Sequence, residues 1–278
     1  MPASNDALAE TSMPPVLPPE IFDLIVDHLH NEPPALRSCC LVSKSWVPRA
    51  RRNLFVQVTL RSSWMNVFPD PFNSPGHYTR ILRLLNPATI IDASAFGPTW
   101  VHHFRHIEEL QVANLPSLRL ILVPFVQLHG LSPTLKSLYI FNVSAHLSEV
   151  FNLICSFPLL EDLRMHFVTI RGDVEGWHIP STSPRLTGVL SLSNPIHSAT
   201  RGLLDLPNGI HFAGITAYSA VEDVKAVADL ISRCSDTLEH LGFAYDSSSV
   251  FYFAPVVDRY LTSTYRFCFL FKYVTLRS

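Results

Sequence analysis

The sequence predicts an α/β protein in which a small three-helix unit precedes a solenoid of strand-and-helix repeats. Three observations carry that prediction. A short acidic and apolar helix opens with a proline pair at Pro18 and Pro19, and signals for two more short helices follow within about forty residues. From residue 107 onward the pattern apolar, two residues, apolar, one residue, apolar recurs with a period near 26. Two of the segments between copies place apolar residues at i, i+3, i+4 and i+7, the spacing of an amphipathic helix.

Residues 1–16 form a Pro-containing leader, expected to be mobile, with Asp6 and Glu10, no basic start and no apolar run, so no secretory signal is expected. The first helix is expected over about 18 to 29. Prolines are tolerated in a first helical turn, and Glu20 and Asp23 suit the positive end of the helix dipole. At 100° per residue Ile21, Phe22, Ile25, Val26 and Leu29 fill one apolar arc, Glu20, Asp23, Asp27 and Asn31 share the other side, and Leu24 falls on that acidic side. "EPPALRSCCLVS" gives a second helix with Leu36, Cys39 and Cys40 on one face. Ser43 or Ser45 is placed to cap a third, "WVPRARRNLF", with Pro48 in its first turn. A unit this small rarely folds alone without a metal, disulfides or a partner, and the sequence offers neither of the first two. An apolar surface that meets another protein is the economical expectation.

"LPPEIFDLIVDHLHNEPPALRSCCLVSKSWVPRARRNLF", residues 17–55, resembles an F-box in the order and spacing of its Leu-Pro-x-Glu-Ile start, its Val-Ser-x-x-Trp and its basic run ending in Leu-Phe. The resemblance implies docking on a Skp-type adaptor, and through it on a cullin and a RING subunit of an SCF ubiquitin ligase. Carried over residue by residue, the implied adaptor contacts are Leu17, Pro18, Ile21, Ile25, Val42 and Trp46, with Leu24 added from its place on the helix. Each is equally compatible with a place in the core of the three-helix unit.

The repeats read "IEELQV", "LKSLYI", "LEDLRM" and "LEHLGF", with "RLTGVLSL" and "FAGITA" as looser copies. Their central apolar residues are Leu110, Leu138, Leu163, Leu190, Ile215 and Leu241, at spacings of 28, 25, 27, 25 and 26. "FVQVTL" and "TRILRL" are candidates for two earlier strands. Leu147, Val150, Phe151 and Ile154, and again Val224, Val227, Ala228 and Ile231, mark the two amphipathic connections. The segment 56–246 thereby resembles irregular leucine-rich repeats, as in F-box proteins of the fungal type. It departs from that pattern at Asn114, Asn142 and Asn194, which follow the last strand apolar by two residues instead of three, so no asparagine ladder is expected. The aromatic-rich segment 247–278 is atypical for a terminal repeat, although Thr264, Phe267 and Phe269 fall where another strand is due.

Composition narrows the function. Apolar residues make up 47% and charged residues 16%, a globular balance, and the net charge of -2 supplies no drive towards nucleic acid or anionic lipid. No stretch approaches a membrane span, because "ILVPFVQL" is broken by Pro124. The five scattered cysteines form no C-x-x-C pair and read as reduced thiols of a cytoplasmic or nuclear protein. His102 and His106 have the i, i+4 spacing of a metal pair but no H-E-x-x-H glutamate and no third ligand nearby, so no metal is expected. Asp173 and Glu175 read as solvated loop charges, and Lys44, Arg49, Arg51 and Arg52 as the solvated face of the third helix. Glycine-rich phosphate loops and a nucleophile elbow are absent. No catalytic residue and no cofactor is therefore expected.

Two functions remain. In the first, the chain is a substrate-recruiting adaptor whose repeats capture an unknown protein on a concave face, with Gln111, Tyr139, Phe141, Arg164 and His166 as target contacts. In the second it is a non-catalytic repeat scaffold, and the F-box-like segment only caps the solenoid.

Overall fold

The computed structural model describes residues 18–60, 67–70, 72, 74–85, 100–115, 128–131, 133–171, 182–193, 197–218, 224–244 and 272–275. The chain divides into two compact units, Met1–Leu54 and Phe55–Ser278.

In the first unit α1 (Pro19–His28), α2 (Pro33–Val42) and α3 (Val47–Phe55) each carry proline in the first turn, where its missing N–H has no helical partner to lose. Val26, Leu36, Cys39 and Ala50 form a core, with Leu29, Cys40, Trp46 and Leu54 packed around it. The Phe22 and Trp46 rings lie 5.2 Å apart. Polar contacts fix α3 against α1. Arg49 forks onto Asp27, Nε to Oδ1 at 2.7 Å and Nη2 to Oδ2, while Asn53 Nδ2 donates to Asp27 Oδ1 at 2.9 Å and to the Val26 carbonyl at 3.2 Å. Asp27 and Arg49 face each other across 22 residues of sequence while their side chains stay 38% and 33% exposed. The serines do not cap α3 either. The Ser45 N–H donates to Ser43 Oγ in the preceding turn, and the Trp46 carbonyl accepts the first helical bond from Ala50.

The second unit is a mixed α/β structure built on one open sheet whose nine strands lie in sequence order: β1 (Gln57–Thr59), β2 (Ile81–Leu85), β3 (Glu109–Leu115), β4 (Ser137–Ala145), β5 (Asp162–Ile170), β6 (Val189–Ser193), β7 (Gly214–Tyr218), β8 (His240–Ala244) and β9 (Lys272–Thr275). The first eight are parallel, and β9 joins β8 antiparallel. The repeat positions set the register. Val58, Leu82, Leu110, Leu138, Leu163, Leu190, Ile215 and Leu241 are successive partners across the sheet, and all are buried.

In five of the six repeat copies the opening apolar residue joins a second buried row: Ile107, Leu135, Leu160, Phe212 and Leu238. Hydroxyls tie that row to the preceding repeat. Thr134 Oγ1 donates to the Ile107 carbonyl at 2.7 Å, and Thr237 Oγ1 to the Phe212 carbonyl at 3.2 Å.

Among the described residues three α-helices connect strands: α4 (Leu147–Cys155), α5 (His197–Leu204) and α6 (Val224–Arg233). α4 buries Leu147, Val150, Phe151 and Ile154, the face expected from the sequence, and α6 buries Val227 and Leu230. α5 packs against α4 through Gly202, where an added Cβ would lie 2.5 Å from the Phe151 ring. Three short 3-10 helices complete the described elements, at Pro75–Tyr78, Trp100–His103 and Leu128–Leu131.

In β2, in β4 and in the first half of β3 and β5, buried residues alternate with half-buried or exposed ones, so among the described residues one face of these strands meets the core and the other is the more open. All-parallel sheets normally have both faces covered.

Candidate functional site

Two surfaces are available, one in each unit. On the helical unit the apolar arc of α1 is divided. Val26 is buried and Phe22 and Leu29 pack inward, whereas Ile21, Leu24 (64% exposed) and Ile25 face outward. On α2, Leu41 is 88% and Val42 67% exposed. Among the implied adaptor contacts, then, Pro18, Ile21, Leu24, Ile25 and Val42 are exposed, Trp46 is half-buried against Phe22 in the unit's own core, and Leu17 lies outside the described residues. Leu41 was missed. The i, i+3, i+4 pattern through Leu36 and Cys39 assigns it to the far side of α2, and an exposed leucine there leaves no other trace in the sequence.

On the open sheet face the five candidate target contacts come together. Gln111, Tyr139 and Arg164 are register partners across β3, β4 and β5, and Phe141 and His166 are partners one step further along. Polar contacts run through this face. Arg83 Nε donates to Gln111 Oε1 at 2.7 Å, and Gln111 Nε2 donates to Glu109 Oε1. Ser137 Oγ donates to Asp162 Oδ2 at 2.8 Å, and the Val189 N–H donates to Asp162 Oδ1 at 2.6 Å. The rings make a connected cluster: Tyr139 to Phe141 at 6.0 Å, Tyr139 edge-on to His166 at 5.4 Å, and Phe141 edge-on to Phe167 at 5.6 Å. His166 Nε2 and Ser191 Oγ are hydrogen-bonded at 2.9 Å. Burial, with the neighbouring Arg164 charge adding to it, lowers the His166 pKa and favours the neutral ring.

Phe167 was also missed. Asn114, Asn142 and Phe167 occupy one register step between partnered residues and share a left-handed backbone, at φ of 56°, 50° and 54°. Asn142 Nδ2 donates to Asn114 Oδ1 at 2.9 Å, an exposed side-chain pair across β3 and β4. Asparagine tolerates this conformation, whereas phenylalanine in it is an outlier. A Phe flanked by His166 and Val168 reads as ordinary strand, so nothing in the sequence marks it.

The remaining candidates are scattered. His102 and His106 are exposed and do not share an α-helix, since Trp100–His103 is a 3-10 turn. No three metal-binding side chains lie together among the described residues. Asp173, Glu175, Asn194, Thr264, Phe267 and Phe269 lie outside the described residues. Cys39, Cys40, Cys155 and Cys234 are free thiols, and burial pushes Cys155 up to about 11 and also raises Cys234. No described helix is long and apolar enough to cross a membrane.

Comparison of the chain with models of known protein families, and with curated proteins, finds no match.

Proposed function

We propose that this chain is the substrate-recruiting subunit of an SCF-type ubiquitin ligase, acting in the cytoplasm or nucleus. The F-box-like helices bind a Skp-type adaptor, and an irregular leucine-rich-repeat sheet captures a target protein on its open face. The chain contributes no reacting group in this reading. It raises the concentration of target lysines near a ubiquitin carried by other subunits, which is catalysis by proximity.

The observation that carries the reading is the division of α1. Ile21, Leu24 and Ile25 remain outside a core that Val26, Leu36, Cys39 and Ala50 close without them, and Leu41 and Val42 extend the exposed apolar set. Exposed aliphatic residues concentrated on so small a unit are what a partner surface requires. For the repeat reading, support comes from the sequential parallel order of the strands and from the stacking of residues spaced 24 to 28 apart. The left-handed asparagines are not that family's usual device.

The test is co-expression with a Skp-type adaptor followed by size-exclusion chromatography, with a Leu24→Glu, Val42→Glu double variant alongside. Both side chains are exposed, so the variant is expected to fold. A stoichiometric complex that the variant loses is the expected result. A folded wild-type chain that elutes apart from the adaptor would overturn the reading and leave the scaffold, with the first helices serving as its cap.

A further inference from the structure

We infer that the ring and arginine cluster on the open face of β4 and β5 docks an acidic peptide segment that places an aromatic or long aliphatic side chain beside a carboxylate. The inference rests on the reading of this face as the target surface and adds the chemistry of what it takes.

The first argument is Phe167. Where β3 and β4 use asparagine for a left-handed residue, β5 uses phenylalanine, with φ of 54°. Such a conformation is unfavourable for a bulky side chain and persists only when the surroundings impose it. The Phe167 N–H donates to Ser193 Oγ at 3.1 Å, and its ring packs edge-on against Phe141, yet the side chain stays 52% exposed. A strained backbone that holds an aromatic ring half out in water gains nothing for the core. It fits a surface residue that a partner will cover, and aromatic residues dominate such contacts.

The second argument is order. Tyr139, Phe141 and His166 are held by mutual ring contacts and by the His166–Ser191 hydrogen bond, so a ligand would meet a preformed shelf. Pre-organisation lowers the entropy lost on binding.

Charge selects the occupant. Arg164 is exposed and makes no ion pair or hydrogen bond with a described residue. The carboxylates of the same face are engaged elsewhere, Glu109 with the Gln111 amide and Asp162 with the Ser137 hydroxyl and the Val189 N–H. Arg83 is engaged too, through Gln111. Among the described residues of β4 and β5, Arg164 is thus a cation with no ion pair, on the same face as the Tyr139, Phe141 and His166 rings. Three residues of strand separate Arg164 from Phe167, roughly 10 Å at 3.3 Å per residue, so an extended ligand would place its carboxylate within about three positions of its apolar side chain.

The test selects a phage library of random dodecapeptides on the full chain, then measures a synthetic enriched peptide by fluorescence anisotropy against wild type, Arg164→Gln, Arg164→Lys and Phe167→Asn. The expected sequences pair an aromatic or aliphatic residue with Asp or Glu within three positions. Arg164→Gln and Phe167→Asn should each weaken binding roughly tenfold or more, and Arg164→Lys less. Because asparagine suits the left-handed backbone, Phe167→Asn should leave the melting temperature unchanged or raised, an outcome that loss of folding would not produce. Basic or neutral consensus peptides, acidic peptides indifferent to these substitutions, binding only when phosphoserine replaces the acidic residue, self-association through this face, or no enrichment would each overturn the inference. The adaptor complex separates the two ideas. If it forms and no such peptide is found, only this inference fails; if such peptides bind and no adaptor complex forms, the ligase reading fails and the docking surface stands.

Discussion

Replacing Leu138 with alanine probes the sheet at its centre. Leu138 is 1% exposed and lies between Leu110 on β3 and Leu163 on β5, both fully buried. The substitution removes three carbons. At about 0.8 kcal/mol per buried methylene the transfer loss is about 2.4 kcal/mol, and the cavity left between two fixed leucines brings the expected loss to roughly 3 to 4 kcal/mol. For a unit as large as Phe55–Ser278 this corresponds to a fall in melting temperature of roughly 6 to 16 °C by scanning calorimetry. Amides of β3 to β5 should lose hydrogen-exchange protection first, because stacked repeats depend on their nearest neighbours. Tyr139, the next residue, faces the open side and is only half-buried, so Tyr139→Ala should lower stability by less than about 1.5 kcal/mol. Equal losses at the two positions, or a larger one at Tyr139, would refute the one-sided burial on which the open face depends.

Other outcomes follow from particular contacts. Gly202→Ala should destabilise by about 1 to 3 kcal/mol, because the new methyl meets the buried Phe151 ring, and a Phe151→Leu change should recover part of the loss in urea denaturation. His103 is buried with neither ring nitrogen hydrogen-bonded to a described residue, and burial lowers its pKa below the ordinary 6.5. The unfolded chain thus binds this proton more readily than the folded one. Stability should be full above about pH 6.5 and fall with acidification until the folded-state pKa is passed, and His103→Leu should flatten that part of the pH profile and raise stability. Asp27 is held down to about 2, first by its hydrogen bond from Arg49. Its contribution to the first unit is therefore present above the ordinary value of 3.8 and lost as pH falls through about 2. Asp27→Asn should be less stable than wild type by circular dichroism at pH 6, with the two converging near pH 2.

The strand order was legible because one apolar residue per repeat must reach the same core. That requirement prints Leu110, Leu138, Leu163, Leu190, Ile215 and Leu241 into the chain at nearly constant spacing, and those residues are register partners. α4 and α6 were legible for the same reason. α5 was not, since Gly202 and Ala199 pack it by close approach and leave no large apolar stripe. The antiparallel β9 breaks the repeat, so its place at Lys272–Thr275 could not come from the period. At the candidate surfaces, alternation correctly put Gln111, Tyr139, Phe141, Arg164 and His166 on one face. It could not show the left-handed step that lifts Phe167 into view, nor which half of the α1 arc its own core would use. The Asp27–Arg49 pair joins positions 22 apart on different helices, a contact that composition and helical periodicity do not encode.

Isothermal titration calorimetry of a Skp-type adaptor into this chain, repeated at several temperatures, decides whether the exposed faces of α1 and α2 form an adaptor surface. A one-to-one complex with a negative heat-capacity change, the mark of apolar burial, is expected, with its loss in the Leu24→Glu, Val42→Glu variant. A folded chain that gives no binding heat at any temperature, or a complex unaffected by those substitutions, would contradict it.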